Sequence, residues 1–597
     1  MISLKHKKAI PIIAVCIGLS LTIGVGAAFA PQIRTAIINK FPILKSSSAK
    51  PYDVNQNAGS GGSSNNFSDL KGKTQISDYI IDTDVWYSEP IVEGVDFIYE
   101  AQVLSTGKNA WNTSLLTSSN LEKKTCDTTS DFASGVKTFE WTSNYVLPML
   151  QSQAGQFTSK KDALDVVWNF LKDATEGVTH KWAAMESFMR YQHYAAEFGY
   201  DILGCELGAD IPGSSVSVAF TRGAARQYGK TWFVDFSLWG AGSEGIGGSM
   251  LNYSDDPTAF NATGEAQVNN ADGGQGLSAT RRHHLYAYMS GARWLINEAG
   301  GNNAFYTEIG EDGYYELSPH GLVFQEVYDF VLRNNDRGYT YTPYALVLDY
   351  YHGLPFGLWN GNKVFEAFPL DEGDMMTQNL LSLFYPGWNQ LTVYAENQLI
   401  NTPFGDTTDV LLQNASQKVL NSYPVVILSG SIDFSKDEID KYRAYVKQGG
   451  TLLLNTAYLE NFPEYEKDND GYYEVSDGEG KVIVYGNDYN VSALEEILAD
   501  LNSDLIPFEI EGDVQYLMNV KNGSLVLTLI NNKGVTKPTE GQEIIDQTKI
   551  QDIKIRYTGG NTVLEVRDWF SGETLSKSSE QSLSLAPGDM AVIEFVV

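Results

Sequence analysis

The sequence predicts an α/β protein built as a (β/α)8 TIM barrel followed by a small α/β domain and a C-terminal β-sandwich. Three observations carry that prediction. From about residue 75 to 386, short apolar runs alternate with longer amphipathic stretches, the pattern of a parallel sheet with covering helices. Several of those runs end in a carboxylate followed by glycine or another turn former: Glu206, Asp235, Glu298 and Asp349. Functional groups gathered at strand C-termini mark the active face of a barrel. A doubly wound open sheet is the rival, but no Gly-rich phosphate loop follows any of these strands.

Taken in order, "KWAAMES" reads as a strand and "FMRYQHYAAEFG" as a helix. "YDILGCE" is the next strand, "SSVSVAFTRGAARQYG" the next helix, and "KTWFVDFSLW" the strand after it. A Gly/Asn/Asp-rich excursion over 240–276 precedes the helix "ATRRHHLYAYMSG" and the strand "ARWLINE". "GLVFQEVYDFVLRN" is a helix leading into "YTPYALVLDYYHG", the expected last strand of the barrel. Residues 387–503 alternate again, with "PVVILSG" and "GTLLLNT" as buried parallel strands. From 504 to 597, "SLVLTLINN", "DIKIRYTGG", "TVLEVRDW" and "DMAVIEFVV" are short strands parted by turn residues, as in a β-sandwich.

The 597 residues suffice for several domains, and 43% hydrophobic content suffices for large cores. A formal charge of -32 repels phosphate backbones and argues against nucleic-acid binding. The three cysteines, Cys16, Cys126 and Cys205, exclude a disulfide-rich scaffold. Lys5, Lys7 and Lys8 precede "AIPIIAVCIGLSLTIGVGAAFA", an apolar run long enough to span a bilayer. The basic residues stay cytoplasmic, so everything after the run is exported, to the cell surface or beyond it. Residues 1–45 are therefore expected to form a membrane anchor or signal segment, and the polar, Gly/Ser/Asn-rich residues 46–74 a flexible linker.

Glycosidic-bond cleavage needs two carboxyl groups, one to protonate the leaving oxygen and one to attack the anomeric carbon or activate water. Glu298 in "WLINEAGG" and Glu206 in "ILGCELGAD" suit such a pair, because each ends an apolar strand with glycine within two residues. Glu186, closing "KWAAMES", competes for the acid role. The bland alternative for each is a carboxylate that caps a helix or pairs with Arg222, Arg226, Arg281, Arg282 or Arg293. Asp235, Trp239, Asp349, Tyr350, His352 and Trp359 are expected to orient the acids or bind sugar at the rim, with loop packing as their alternative. "RRHH" at 281–284 lacks the carboxylate–histidine spacing of a metal site and reads as packing, so no metal and no cofactor is expected.

A family resemblance adds to this. "GYDILGCELGADIPGSSVSVAFTRGAARQYGKTWFVDFSLWG", "YMSGARWLINEAGG" and "YTPYALVLDYYHGLPFG" resemble barrel glycoside hydrolases of the clan A type. The domain order is similar to that of beta-galactosidases with an amidotransferase-like trimerisation domain. The resemblance implies a retaining hydrolase of a poly- or oligosaccharide, with the nucleophile after the seventh strand, where Glu298 fits, and the acid/base after the fourth. The superfamily's Asn before the acid/base is absent here: Cys205 precedes Glu206 and Met185 precedes Glu186. It also implies that residues 387–503, which lack a nucleophilic cysteine, serve as a structural or homo-oligomerisation module. The competing expectation is a non-catalytic, membrane-tethered carbohydrate-binding or sensing protein that keeps the barrel as a ligand cup.

Overall fold

The computed structural model describes residues 135–137 and 146–597, apart from 175–179, 186–189, 201, 209–212, 239–249, 252–266, 269–273, 293, 298–304, 310–314, 335, 354–362, 390–398, 468–470, 487–488, 522 and 539–541. The expected membrane segment and linker lie outside the described residues. Among the described residues, no helix is long and apolar enough to cross a membrane.

The first sheet has five strands, all parallel, in simple chain order: β1 (Gly135–Lys137), β2 (His180–Met185), β3 (Ile202–Gly208), β4 (Thr231–Ser237) and β5 (Trp294–Asn297). Helices intervene in the chain: α1 (Leu147–Gln153) and α2 (Lys160–Ala174) before β2, α3 (Gln192–Glu197) before β3, α4 (Ser214–Tyr228) before β4, α5 (Leu277–Met289) before β5, and α6 (Pro319–Arg333) after it. This neighbour-to-neighbour progression is how a barrel sheet begins. α4 stops at Gly229, whose φ of +63° lets its N–H reach back to the Ala225 carbonyl. Ser318 caps α6 by accepting from the Gly321 N–H at 2.9 Å, ahead of Pro319.

One expectation is corrected here. After β6 (Tyr339–Thr340), strand β7 (Tyr344–Leu348), anticipated as the last strand of the barrel, lies inside a second sheet. That sheet also holds β8 (Thr408–Leu412), β9 (Val425–Ser429), β10 (Thr451–Asn455), β11 (Tyr473–Asp477) and β12 (Gly480–Tyr485), in the order β8-β7-β9-β10-β12-β11. Only β11 is antiparallel. Helix α7 (Glu372–Phe384) covers β9: Thr377 Oγ1 and Ser429 Oγ are 2.8 Å apart, and a Cβ on Gly373 would lie 2.4 Å from the Ser431 nitrogen. The second unit thus takes in residues on both sides of the expected 386/387 boundary. All five residues of β7 are fully buried, and such a run suits any doubly covered parallel strand.

The remaining helices of the second unit are α8 (Gln417–Leu420), α9 (Lys436–Lys447) and α10 (Leu494–Leu505). Ser435 and Glu438 close a reciprocal capping box at the start of α9.

The C-terminal part is a sandwich of two antiparallel sheets. The smaller has β13 (Phe508–Glu511), β18 (Gln551–Tyr557) and β21 (Glu580–Leu585). The larger joins β14 (Gln515–Lys521), β15 (Ser524–Ile530), β19 (Glu565–Asp568), β20 (Thr574–Ser576) and β22 (Met590–Val596), with β6 at its edge. Ile553, Ile555 and Leu585 from one sheet meet Leu527, Ile593 and Phe595 from the other in a shared core. A two-stranded ribbon, β16 (Val535–Thr536) with β17 (Ile544–Ile545), stands apart from both sheets.

Helix α4 joins the first sheet to the second. A Cβ at Gly223 would lie 1.8 Å from the Val410 carbonyl oxygen, so helix and strand meet backbone to backbone. On either side of that contact, buried Arg222 reaches Asp409 (2.5 Å) and Asp406 (3.2 Å), while Arg226 pairs with Asp409 and donates to the Thr340 carbonyl at 2.6 Å. Tyr423 and Tyr385 add hydrogen bonds to Asp409 (2.9 Å) and Asp406 (3.1 Å). Burial alone would push the Asp409 carboxyl up, but Arg226 and Arg222 hold it below the ordinary aspartate value.

Candidate active site

Strand β3 presents two unlike faces. Leu203, Cys205 and Leu207 are fully buried toward the helices. Burial raises the Cys205 thiol to about 12; a Thr221 hydrogen bond from α4 lowers it, while Asp235 and Glu206 add to the rise. The alternate residues Gly204, Glu206 and Gly208 take the other face, because side chains alternate along a strand. A Cβ on Gly204 would lie 2.4 Å from the Phe233 ring, so the missing side chain is what admits that ring. Phe233 and Asp235 of β4 stand in register with Gly204 and Glu206. Register partners in neighbouring strands point the same way, so the face opposite Cys205 carries an apolar row, Gly204 and Phe233, followed by an acidic row, Glu206 and Asp235. Glu206 is half-buried, and Asp235 is 2% exposed.

The other two carboxylates of the expected constellation, Glu298 and Glu186, lie outside the described residues, as do Trp239 and Trp359. In the chain, Glu298 directly follows Asn297, the last residue of β5, and Glu186 directly follows Met185, the last residue of β2.

Asp349, Tyr350 and His352 are not at the end of the first sheet. They follow β7 and line the seam between the second sheet and α3, which corrects their expected place on the barrel rim. Tyr194 Oη donates to the Tyr350 carbonyl at 2.7 Å, Tyr350 Oη donates to Glu197, and the His352 ring stacks on Tyr194 with centroids 5.3 Å apart. Burial, with His193 and Lys160 nearby, holds His352 neutral and well below the usual histidine range.

Asp349 Oδ2 has no hydrogen-bond partner among the described residues and sits under Gly430, where a Cβ would lie 2.5 Å from it. Burial lifts the Asp349 carboxyl to about 7; Lys160 opposes the rise, and Asp374 and Asp371 add to it. Lys160 Nζ is 3.2 Å from Asp374 and 3.3 Å from Asp371.

Of the arginines weighed as partners for the acids, Arg222 and Arg226 serve Asp406 and Asp409, and Arg281 pairs with Glu326 (2.7 Å) and Asp589 (2.8 Å). Arg282 donates to Asn532 Oδ1 at 2.7 Å, and Arg293 lies outside the described residues. The histidines of "RRHH" are built into the fold: Gln275 Nε2 meets His283 Nδ1, and His284 Nδ1 meets the Thr280 carbonyl, both at 2.7 Å. Sequence reasoning missed Gln275, which anchors this corner by donating its backbone N–H to the Leu238 carbonyl at 2.8 Å. A polar residue at the close of a Gly/Asn-rich loop carries no local signal of that role.

No family model and no curated sequence matches the chain. Among solved structures, it is similar to a GH42 beta-galactosidase from G. stearothermophilus, with 11% identity over 76% of this chain and 74% of that one, at a TM-score of 0.42. It is also similar to a beta-galactosidase from Rahnella sp. R3, with 10% identity over 73% of this chain and 67% of that one, at a TM-score of 0.40. An exo-beta-1,4-mannosidase from an Opitutaceae bacterium, strain TAV5, aligns with 10% identity over 61% of this chain and 74% of that one, at a TM-score of 0.27.

Proposed function

We propose that the chain is an exported, membrane-tethered glycoside hydrolase of retaining type whose first unit closes as a (β/α)8 barrel. The observation that supports this reading is the acidic row on the face opposite Cys205, Glu206 beside Asp235 on adjacent parallel strands, with Glu298 following the end of the next strand in the chain. Solvated carboxylates cost nothing to expose, whereas two gathered on one sheet face at the strand ends are the raw material of general acid–base chemistry.

In this mechanism Glu298 attacks the anomeric carbon and forms a glycosyl ester. Glu206 donates its proton to the departing oxygen, then takes a proton from water as that water breaks the ester. Asp235 orients Glu206 or holds a sugar hydroxyl, and Glu186 is the alternative acid. Trp239 and Trp359 offer flat apolar surfaces to the pyranose. No metal enters these steps. Residues 1–45 hold the enzyme at the outer face of the membrane, and the second sheet is the surface through which copies would associate.

The deciding experiment is turnover of a panel of 4-nitrophenyl glycosides and plant or bacterial polysaccharides by the wild type, Glu298→Gln and Glu206→Gln. Loss of an acid–base or nucleophilic group should lower kcat by a factor on the order of 100 or more without unfolding. Added azide should restore turnover in a small-residue variant of the nucleophile with inverted product. Full activity in both Gln variants would end the assignment.

A further inference from the structure

The C-terminal sandwich does not hang free of the first unit. Asn519 Nδ2 of β14 donates to the Met289 carbonyl, at the C-terminal end of α5, at 2.9 Å. Four residues earlier on the same strand, Gln515 Nε2 donates to Ser215 Oγ, at the N-terminal end of α4, at 3.1 Å. Read backward along its chain, from Asn519 to Gln515, the strand leads from a helix C-terminus to a helix N-terminus. In a parallel βα unit that end is the one where the preceding strand finishes, the end of Glu206 and Asp235. Asn532 continues the line, accepting from Arg282 at 2.7 Å and donating to Gln515 Oε1 at 2.8 Å.

Beyond Asn532 the β16–β17 ribbon reaches the first turn of α5. Val535 is buried against Ala279. Glu543 Oε2 accepts from the Ser278 N–H at 3.2 Å, and a Cβ on Gly276 would lie 2.0 Å from that oxygen. Gly276 is the cap residue of α5 and has no side chain with which to cap, so a carboxylate from another domain supplies the acceptor. Lys537 is fully buried. Burial chiefly, then the neighbouring His284 and Lys537, hold His320 down to about 4 against the pull of its hydrogen bond. Neutral His320 donates through Nε2 to the Gln275 carbonyl at 2.9 Å, and Gln275 in turn donates to Leu238, which directly follows β4.

We infer that the β16–β17 ribbon buttresses the catalytic face, and that Glu543 is a positioning residue for hydrolysis. It acts through the first turn of α5 and the adjoining Gln275 on the end of β4 that carries Asp235. The inference rests on the hydrolase reading given above. A ribbon whose apolar contact is Val535 against Ala279 contributes little core of its own, whereas it joins a helix start to a strand end. A displacement of about 1 Å at such an end is enough to cost on the order of 100-fold in rate.

The test measures kcat and KM on the best 4-nitrophenyl glycoside for the full-length wild type, Glu543→Ala, Glu543→Asp and Glu543→Gln, with Glu298→Gln alongside. Glu543→Ala should lower kcat at least tenfold with KM changed less than twofold. Glu543→Gln, which keeps an acceptor for the Ser278 N–H, should recover most of the loss. Unchanged kcat in Glu543→Ala overturns the inference and leaves the hydrolase reading intact. So does a fall in kcat that only tracks the unfolded fraction seen by circular dichroism. If Glu543→Ala does not fold, Glu543→Asp, which draws the acceptor back by one methylene, decides by the same criterion. Absence of any turnover by the wild type overturns the hydrolase reading itself, whereas undiminished turnover by Glu298→Gln overturns only the choice of Glu298 as nucleophile.

Discussion

Ionising Asp349 is costly in the folded chain, because one carboxylate oxygen is shut beneath Gly430 and two further aspartates stand nearby. Its folded value of about 7 lies above the ordinary aspartate value of 3.8, so between those limits the folded state binds a proton that the unfolded chain has released. Stability from this group is therefore fully present below about pH 4, declines as pH rises through the window, and stays at its lower level above pH 7. The decline amounts to about 4 kcal/mol. Asp349→Asn should flatten that part of the curve of urea midpoint against pH between 4 and 8. A variant that keeps the wild-type slope would remove Asp349 as its source. Removing Lys160, the cation that opposes the rise, should carry the same decline to higher pH; Lys160→Met tests it in the same titration.

At the scale of elements, α4 owes its place to Gly223 and to its arginines. Arg222→Leu strands Asp406 and Asp409 with one cation fewer in a dry interior, and breaking a buried pair in this way costs about 3–5 kcal/mol. The expected result is a large drop in urea midpoint, partly recovered when Asp406→Asn is added. Equal midpoints for Arg222→Leu and the wild type would show the network to be dispensable. Most strands and helices were legible locally: "YDILGCE" and "KTWFVDFSLW" form neighbouring strands, and "ATRRHHLYAYMSG" and "GLVFQEVYDFVLRN" form helices. What was not legible was partnership. "YALVL" has the same unbroken apolar character whether it closes one sheet or centres another, and only the distant strands Thr408–Leu412 and Val425–Ser429 decide. The same holds at the site. Glu206 and Asp349 each end an apolar run, yet one stands half-buried in register with Asp235 while the other is sealed under a glycine. The pairing of Glu206 with Asp235 became visible only through register, which no residue spacing encodes.

At the scale of the whole molecule, the sheet that holds β7 runs across the expected boundary at residue 386. A chain ending there keeps β7 but loses β8 and β9, the two strands that pair with it, leaving five wholly apolar residues with bare edges. Such a truncation should aggregate on expression, judged by sedimentation against the full chain; a soluble, monomeric product would refute it. If the proposed reading holds, a chain lacking residues 1–45 should leave the membrane fraction and keep the full chain's turnover of 4-nitrophenyl glycosides, measured on the fractionated lysate.

The backbone contact between Gly223 and Val410 bears on how such a protein can change over evolutionary time. Two units joined at one side-chain-free point, with arginines on either side of it, are not interchangeable parts. A recombination event that replaced the second unit would have to bring a strand whose carbonyl fits Gly223 and whose carboxylate meets both arginines. Novelty is therefore easier to gain in the loops that follow the strands than by shuffling the units themselves.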